Sequence, residues 1–305
     1  MKPVPNRILG YLLVLVSLFI VPYTVLNQRE LVNSFFSIEP KIIGFLCFFV
    51  FISLVLNGVK IYFLQRIFDT KIRLTESVAL ASVNALWNYL PFTGGLVARG
   101  AYLKKKHGFP WSRFLSVVVA SYLISFFAFG LFGFFVTLLL ISTKKLLFLL
   151  FFAGMILFPI ILFYFGRIFE ASKLPFLRRF KKDLLGAGEL LGNKRVSLQI
   201  LLLDFVIIAV DSLRIYLVAA FSGKEISLAT ALLVTPITIL ASLLNITPGA
   251  LVIREGIIAL TTSQLNYSIE TGIIVASLDR LIVMIGIFLA GAWGVFYLKG
   301  LLDEN

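Results

Sequence analysis

The sequence predicts an all-α fold, a polytopic membrane helix bundle with about six full spans and two re-entrant hairpins in inverted-topology repeats. Three observations carry that expectation. Of the 305 residues, 60% are hydrophobic and 14% charged, with mean hydropathy +1.01, a balance foreign to soluble globular domains. Long apolar runs recur from end to end, and runs such as Phe126 to Ile141 lack the polar alternation of a transmembrane barrel strand. Finally, two apolar regions are broken by related stretches, Pro91-Phe92-Thr93-Gly94-Gly95-Leu96-Val97-Ala98-Arg99-Gly100 and Thr247-Pro248-Gly249-Ala250-Leu251-Val252-Ile253-Arg254-Glu255-Gly256. Each runs Pro, Gly, Leu-Val, Arg, Gly. Broken apolar segments at matching places in two halves mark midplane binding sites in transporters.

The first apolar run, Ile8 to Leu26, follows Lys2 and Arg7 as a signal-peptide core would. No small-x-small cleavage site comes after it and its length suffices to span, so it reads as a retained first helix. A balanced linker, Asn27 to Lys41, leads to a second span at about 42–64. The next loop holds Arg66, Lys71 and Arg73 against Asp69 and Glu76, and the positive-inside rule puts it in the cytoplasm with both termini. Ser77 to Leu90 is too short to cross before Pro91, and the cluster Lys104-Lys105-Lys106-His107 with Arg113 follows. A segment that dips in and returns satisfies both length and charge, so a re-entrant hairpin turning at about 91–95 is expected. Spans three and four cover about 114–141 and 146–166, with Lys144 and Lys145 outside, against the rule.

A basic connection at about 167–197 repeats Leu174, Leu177, Phe180, Leu184 and Leu191 at helical spacing. It reads equally as an amphipathic helix on anionic headgroups or as a cytoplasmic helix packed on the protein. Span five covers about 198–221. A second hairpin passes through the Thr247–Gly256 break and enters from outside, and the last span covers about 269–298. Residues 1–305 thus form one integral membrane domain, with repeat units at about 77–141 and 228–298. Val119-Ala120-Ser121 follows Arg99 at nearly the spacing at which Val275-Ala276-Ser277 follows Arg254.

Charges inside a membrane are costly and require a partner or a role. Asp204, Asp211 and Arg214 are expected to neutralise one another and lock the bundle, the last two on one helical face. Arg99 and Arg254 each follow a Gly-containing break and precede an apolar arm. If the arm is a half-helix, its free amides, its dipole and the guanidinium together make an anion site, and a phosphate headgroup is the obvious membrane anion. Gly94, Gly95 and Gly249 supply the turns. Glu255 has Arg280 or Arg254 as partners, or binds a cationic headgroup moiety or a proton. Asn84 and Asn88 share a face before the first turn, for headgroup binding or for interhelical hydrogen bonds. His107 reads as solvated beside its three lysines.

One Cys and one His make a thiolate or His-based metal centre improbable, and no cofactor, metal site or enzymatic motif is expected. Nucleic-acid binding is a poor reading, because the basic residues form no compact unit outside the membrane.

The stretches Pro91–Lys106 and Pro248–Gly256, followed by Val275 to Arg280, resemble the lysylphosphatidylglycerol synthase transmembrane region, a family of flippase-like integral membrane proteins. The resemblance covers most of the chain. It implies a membrane part that moves lipid between leaflets, without the soluble aminoacyltransferase domain that follows it in bifunctional relatives. Arg99, Arg254, Glu255 and Arg280 match family motif positions. Where the family commonly has a Glu-Arg pair in the first repeat's long helix, Ser121-Tyr122 stand here. An ion-binding centre is therefore expected nearer the second break. The expected function is flippase-like transport of a phospholipid or lipid-linked glycan headgroup, in the cell membrane, with membrane lipids as partners. The alternative is a non-transporting accessory protein paired with an envelope-biosynthesis enzyme of glycolipid or polysaccharide assembly.

Overall fold

A computed structural model describes residues 38–68, 70–89, 94–142, 144–168, 186–188, 191–244 and 253–303. The expected first span at 8–26, most of the 167–197 connection and the cores of both breaks, Gly249 among them, lie outside the described residues.

The described residues contain no strand and form nine helices of more than one turn. These are α1 (Pro40–Arg66), α2 (Leu74–Trp87), α3 (Gly94–His107), α4 (Trp111–Leu140), α5 (Lys145–Ile168), α6 (Lys194–Phe221), α7 (Leu228–Leu244), α8 (Ile253–Gln264) and α9 (Ile269–Asp303). Among the described residues, five helices are long and apolar enough to cross a membrane, namely α1, α4, α5, α6 and α9. In lipid the backbone must be satisfied within the protein, by a helix or a closed barrel, and in a segment apolar on every face a continuous helix does so alone. The helices beside the breaks are short. α2 and α3 have 14 residues each and α8 has 12, about 18–21 Å at helical rise, against a hydrocarbon core of about 30 Å.

α2 and α3 form an antiparallel hairpin whose open end is clasped by side chains. Glu76, in the first turn of α2, accepts hydrogen bonds from the Tyr102 hydroxyl (2.9 Å) and is joined to His107 Nε2 (2.7 Å) near the end of α3. α7 and α8 pack as a second hairpin, closed where the Ser227 amide donates to the Tyr267 hydroxyl at 3.0 Å. The two hairpins open at opposite ends of α9. Thr75 bonds the Tyr297 hydroxyl at 2.9 Å and the Lys106 ammonium donates to the Leu301 carbonyl, both at the C-terminal end of α9. The Tyr267 clasp lies just before its first residue.

Exchanging α1–α4 for α6–α9 leaves the pattern of packing nearly unchanged. α1 packs on α2, α6 and α9, while α6 packs on α7, α1 and α4. The short α2 lies along the long α9 of the other unit, and α7 lies along α4. Close approach depends on missing side chains, as is usual between membrane helices. A Cβ on Gly58 of α1 would come within 2.6 Å of the Val78 backbone on α2, and one on Gly294 of α9 within 2.8 Å of the Ala79 carbonyl. α5 packs chiefly on α4 and turns Leu146, Leu150 and Tyr164 outward. The exchange fails in one respect. α8 packs extensively on α9, whereas α3 barely touches α4.

Candidate functional site

Two groups of charged side chains lie inside the bundle. α8 begins at Ile253, so Arg254 and Glu255 fall in its first turn, where Glu255 meets the positive end of the helix dipole. The crossing with α9 sets Arg254 Nη2 on Asp279 Oδ2 at 2.5 Å and pairs Glu255 with Arg280. Arg214, one turn beyond Asp211 on α6, donates through Nε to Asp279 Oδ1 (2.8 Å) and through Nη1 to Asp211 Oδ1 (2.5 Å). The Ser53 hydroxyl of α1 also donates to Asp211 Oδ1, at 2.7 Å. Asp279 is fully buried and has a cation on each oxygen.

The second group joins α1, α4 and α6. Lys60 Nζ lies 2.7 Å from Asp204 Oδ1 and donates to the Ser125 hydroxyl at 2.6 Å, and that hydroxyl lies 2.9 Å from Asp204 Oδ2. α1 and α6 begin 154 residues apart, as do α2 and α7. On that register Lys60 stands where Arg214 stands, and Asn57 where Asp211 stands. Each half therefore sets one cation at the same level of its first long helix.

Between these groups and the first hairpin lies a cavity of about 260 Å³. Its polar lining includes Asn57, Lys60, Asn84, Asn88, Arg99 and Asp211, with Ser121, Tyr122, Ser125 and Asp204 completing the wall. Arg99 differs from every other cation here. Among the described residues no carboxylate pairs with it, whereas its unbonded Nε is a feature it shares with Arg254 and Arg280. Its guanidinium lies 5.1 Å from the Phe114 ring centroid, a cation–π contact that leaves the charge uncompensated. The cause can be read along α4, which has no acidic residue from Trp111 to Leu140, whereas α9 offers Asp279 to Arg254.

The expected site residues are thereby sorted. Arg99, Asn84 and Asn88 line the cavity, and Asn84 Oδ1 has no partner among the described residues. Gly95 lets α3 start directly on the last turn of α2, because a Cβ there would overlap the Asn84 carbonyl and Asn88 Oδ1. Gly94 is the first residue of α3. Arg254, Glu255 and Arg280 belong to the ion-pair group and are not among the cavity's lining residues. The cavity is thus lined by residues that flank the first break. The mutual neutralisation expected for Asp204, Asp211 and Arg214 extends to partners not foreseen, Lys60 and Asp279. Lys60 and Asn57 were missed, although their spacing in an apolar helix repeats that of Asp211 and Arg214.

His107 is not solvated as expected, since its side chain is only 13% exposed and is paired with Glu76. Burial alone would push the Glu76 carboxyl up. Hydrogen bonds from His107, Tyr102 and the Arg73 amide, with the His107 charge, outweigh burial and hold it below the usual carboxylate value. The same bond to Glu76, added to burial, pushes the Tyr102 phenol up. Among the described residues no cluster of His, Cys, Asp and Glu has the makings of a metal site.

Five helices long and apolar enough to cross a membrane among the described residues, with clasped short hairpins and a charged cavity between them, define a multi-pass α-helical membrane protein. The chain belongs to the family described as the lysylphosphatidylglycerol synthase TM region, whose family model matches residues 7–291. That family places it among membrane proteins of lipid and glycolipid handling. No curated protein sequence matches it.

Proposed function

We propose that this protein is a flippase-like transporter that receives the anionic headgroup of a phospholipid or lipid-linked glycan in the cavity beside the first hairpin. The observation that carries the reading is Arg99, a guanidinium on a polar cavity with no carboxylate to balance it among the described residues. A buried cation without a counter-ion is costly, and a phosphate from the bilayer removes that cost. A site that binds and also translocates must open to each leaflet in turn. The hairpins supply the elements for that, since they open at opposite ends of α9 and exchanging the two units leaves the pattern of helix packing nearly unchanged. In this reading both hairpins are re-entrant, the repeats are inverted, and access alternates as one unit rocks against the other. The protein resides in the cell membrane with both termini cytoplasmic, its partners are membrane lipids, and it needs no cofactor and performs no chemical turnover.

The test is leaflet translocation of a fluorescent phosphatidylglycerol in proteoliposomes, read by quenching of outer-leaflet fluorophore. Wild type moves the lipid faster than empty liposomes, and Arg99→Ala falls towards the empty rate. Equal rates for the two proteins would remove Arg99 from the mechanism. A second reading rests on the exposed Lys104 and Lys105 at the end of α3, a basic surface suited to a cytoplasmic enzyme of envelope assembly. Stoichiometric co-purification of such an enzyme, with no translocation, would favour it.

A further inference from the structure

α5 and α6 each pack on α4 but scarcely on one another, and α5 has no comparable contact with any other helix. The gap between them is a groove of about 720 Å³. Leu123, Ile124 and Phe127 of α4 form its floor, with Ile160 of α5 and Leu198 and Leu201 of α6 along its sides. It shares no lining residue with the cavity at Arg99, which Ser121, Tyr122 and Ser125 reach from another face of α4. Leu198 is 56% exposed and Ile160 40%, so the groove opens on the outer side of the bundle. Its polar side chains are gathered at one end. Tyr164 is near the end of α5, and Lys194 and Ser197 are in the first turn of α6. Leu201 lies about 10 Å deeper along α6 at helical rise. Gly192 stands at the polar end, and a Cβ on it would meet nothing within 4 Å. Lys194 and Arg195 are exposed there and make no ion pair among the described residues.

We propose that this groove seats one resident phospholipid of net negative charge, held there and not transported, with its phosphate at Lys194 and an acyl chain lying on α4 between α5 and α6. The site is separate from the transport reading above and does not depend on it. Apolar walls around an empty gap forfeit their van der Waals partners, and water does not fill an apolar void. An acyl chain fills it, and an amphiphile alone also sets a polar head at the one polar end. Tyr and Lys are the residue types that meet headgroups at the edge of the hydrocarbon. The charge of Lys194 then decides which headgroup. A phosphate with no cation of its own balances Lys194, whereas a zwitterionic headgroup brings a second positive charge beside Lys194 and Arg195. In the orientation proposed above this end faces the cytoplasmic leaflet, where basic residues at the surface draw anionic lipid. A soluble partner does not suit the groove, because its apolar length runs inward from Lys194 along helices that span the membrane. The lipid has a structural consequence. α5 is fastened to the bundle through α4, and the acyl chain gives it a second attachment, to α6.

The test is native mass spectrometry of the delipidated full-length protein in neutral detergent, with phosphatidylglycerol and phosphatidylcholine of matched chains added in equal amounts. It is run on wild type and on Arg99→Met, so that lipid in the cavity at Arg99 does not enter the count. Arg99→Met should retain one phosphatidylglycerol, in preference to phosphatidylcholine by about fivefold, the weight of one basic residue at a membrane surface. Adding Lys194→Gln should bring the two lipids near parity while the retained phosphatidylcholine is unchanged. Adding Leu198→Trp, which fills the groove, should lower retention of both lipids by about tenfold. Ile160→Trp fills it from the α5 side if Leu198→Trp fails to fold. A preference that survives Lys194→Gln overturns the proposal. So does retention that is unchanged in a folded Trp variant, the result expected if another part of this chain covers the groove. Loss of all retained phosphatidylglycerol in Arg99→Met would assign the lipid to the cavity, and would overturn this site while leaving the transport reading intact.

Discussion

Asp279 is the residue whose loss should most damage the fold. It is fully buried, and it holds Arg214 on one oxygen and Arg254 on the other, at 2.8 and 2.5 Å. Asp279→Asn keeps the shape but removes the charge. Arg214 retains Asp211, so its loss is partial. Arg254 has no other carboxylate among its ion pairs and becomes a buried, unbalanced cation. Breaking a buried pair in this way costs about 3–5 kcal/mol, which corresponds to a fall in Tm on the order of 10 °C. The assay is thermal unfolding of the detergent-solubilised protein followed by intrinsic fluorescence. The decisive comparison adds Arg254→Met. If the penalty is the stranded charge, the double variant is more stable than Asp279→Asn alone, with a coupling of about 1–3 kcal/mol. Asp279→Asn melting within about 2 °C of wild type, or a double variant no better than additive, would refute the claim that these pairs hold the second hairpin to α9.

Arg99→Met should leave the melting temperature of lipid-free protein unchanged or slightly raised, because no ion pair is lost, and the thermal scan that reads Asp279→Asn reads this too. Gly95→Ala should cost about 1–3 kcal/mol as an overpacking substitution, since its methyl overlaps the Asn84 carbonyl, and limited proteolysis near the first break should quicken. Glu76→Gln should destabilise at neutral pH and lose its effect in acid. The Glu76 carboxyl is depressed in the folded state, so its contribution is present above the ordinary value of 4.5 and disappears as pH falls through the lower folded value. A melting difference from wild type that persisted undiminished below that range would refute the clasp.

Much of the fold could be read because lipid permits few backbones. The expected spans at about 42–64, 114–141, 146–166, 198–221 and 269–298 correspond to α1, α4, α5, α6 and α9. The breaks themselves, 90–93 and 245–252, lie outside the described residues, and short helices flank them, α2 and α3 of 14 residues and α8 of 12. The charge pairing was not legible. Lys60 and Asp204 are distant in sequence and meet only because α1 and α6 pack together. Arg99 and Arg254 sit alike in their motifs, so the motifs alone could not say which would keep its charge free. The answer lies on the long helices, where Asp279 answers Arg254 and α4 has nothing to answer Arg99. The departure at Ser121-Tyr122 pointed to this asymmetry. With no acid on α4, the first half keeps a cation that has no carboxylate partner among the described residues.

Opposed opening of the two hairpins, which the proposed alternating access requires, makes a separate prediction about sidedness. The first hairpin is tied to the C-terminal end of α9 through Tyr297 and Leu301, the second to its N-terminal end through Tyr267. α9 has 35 residues, about 52 Å at helical rise, longer than the hydrocarbon core by a wide margin. If α9 crosses the membrane, the two clasps are on opposite sides whichever way the protein is inserted. Cys47 is the chain's one cysteine and is buried, so Cys47→Ala provides a background for single cysteines. Exposed positions are available at both levels, Lys105→Cys and Lys299→Cys near the first clasp, Glu225→Cys near the second. A membrane-impermeant maleimide applied to intact cells should label Glu225→Cys, and should label Lys105→Cys and Lys299→Cys only after the membrane is opened. Reversal of all three would invert the orientation while preserving the architecture. Labelling of Lys105→Cys together with Glu225→Cys from one side would place both clasps on the same face and remove the basis for inverted repeats.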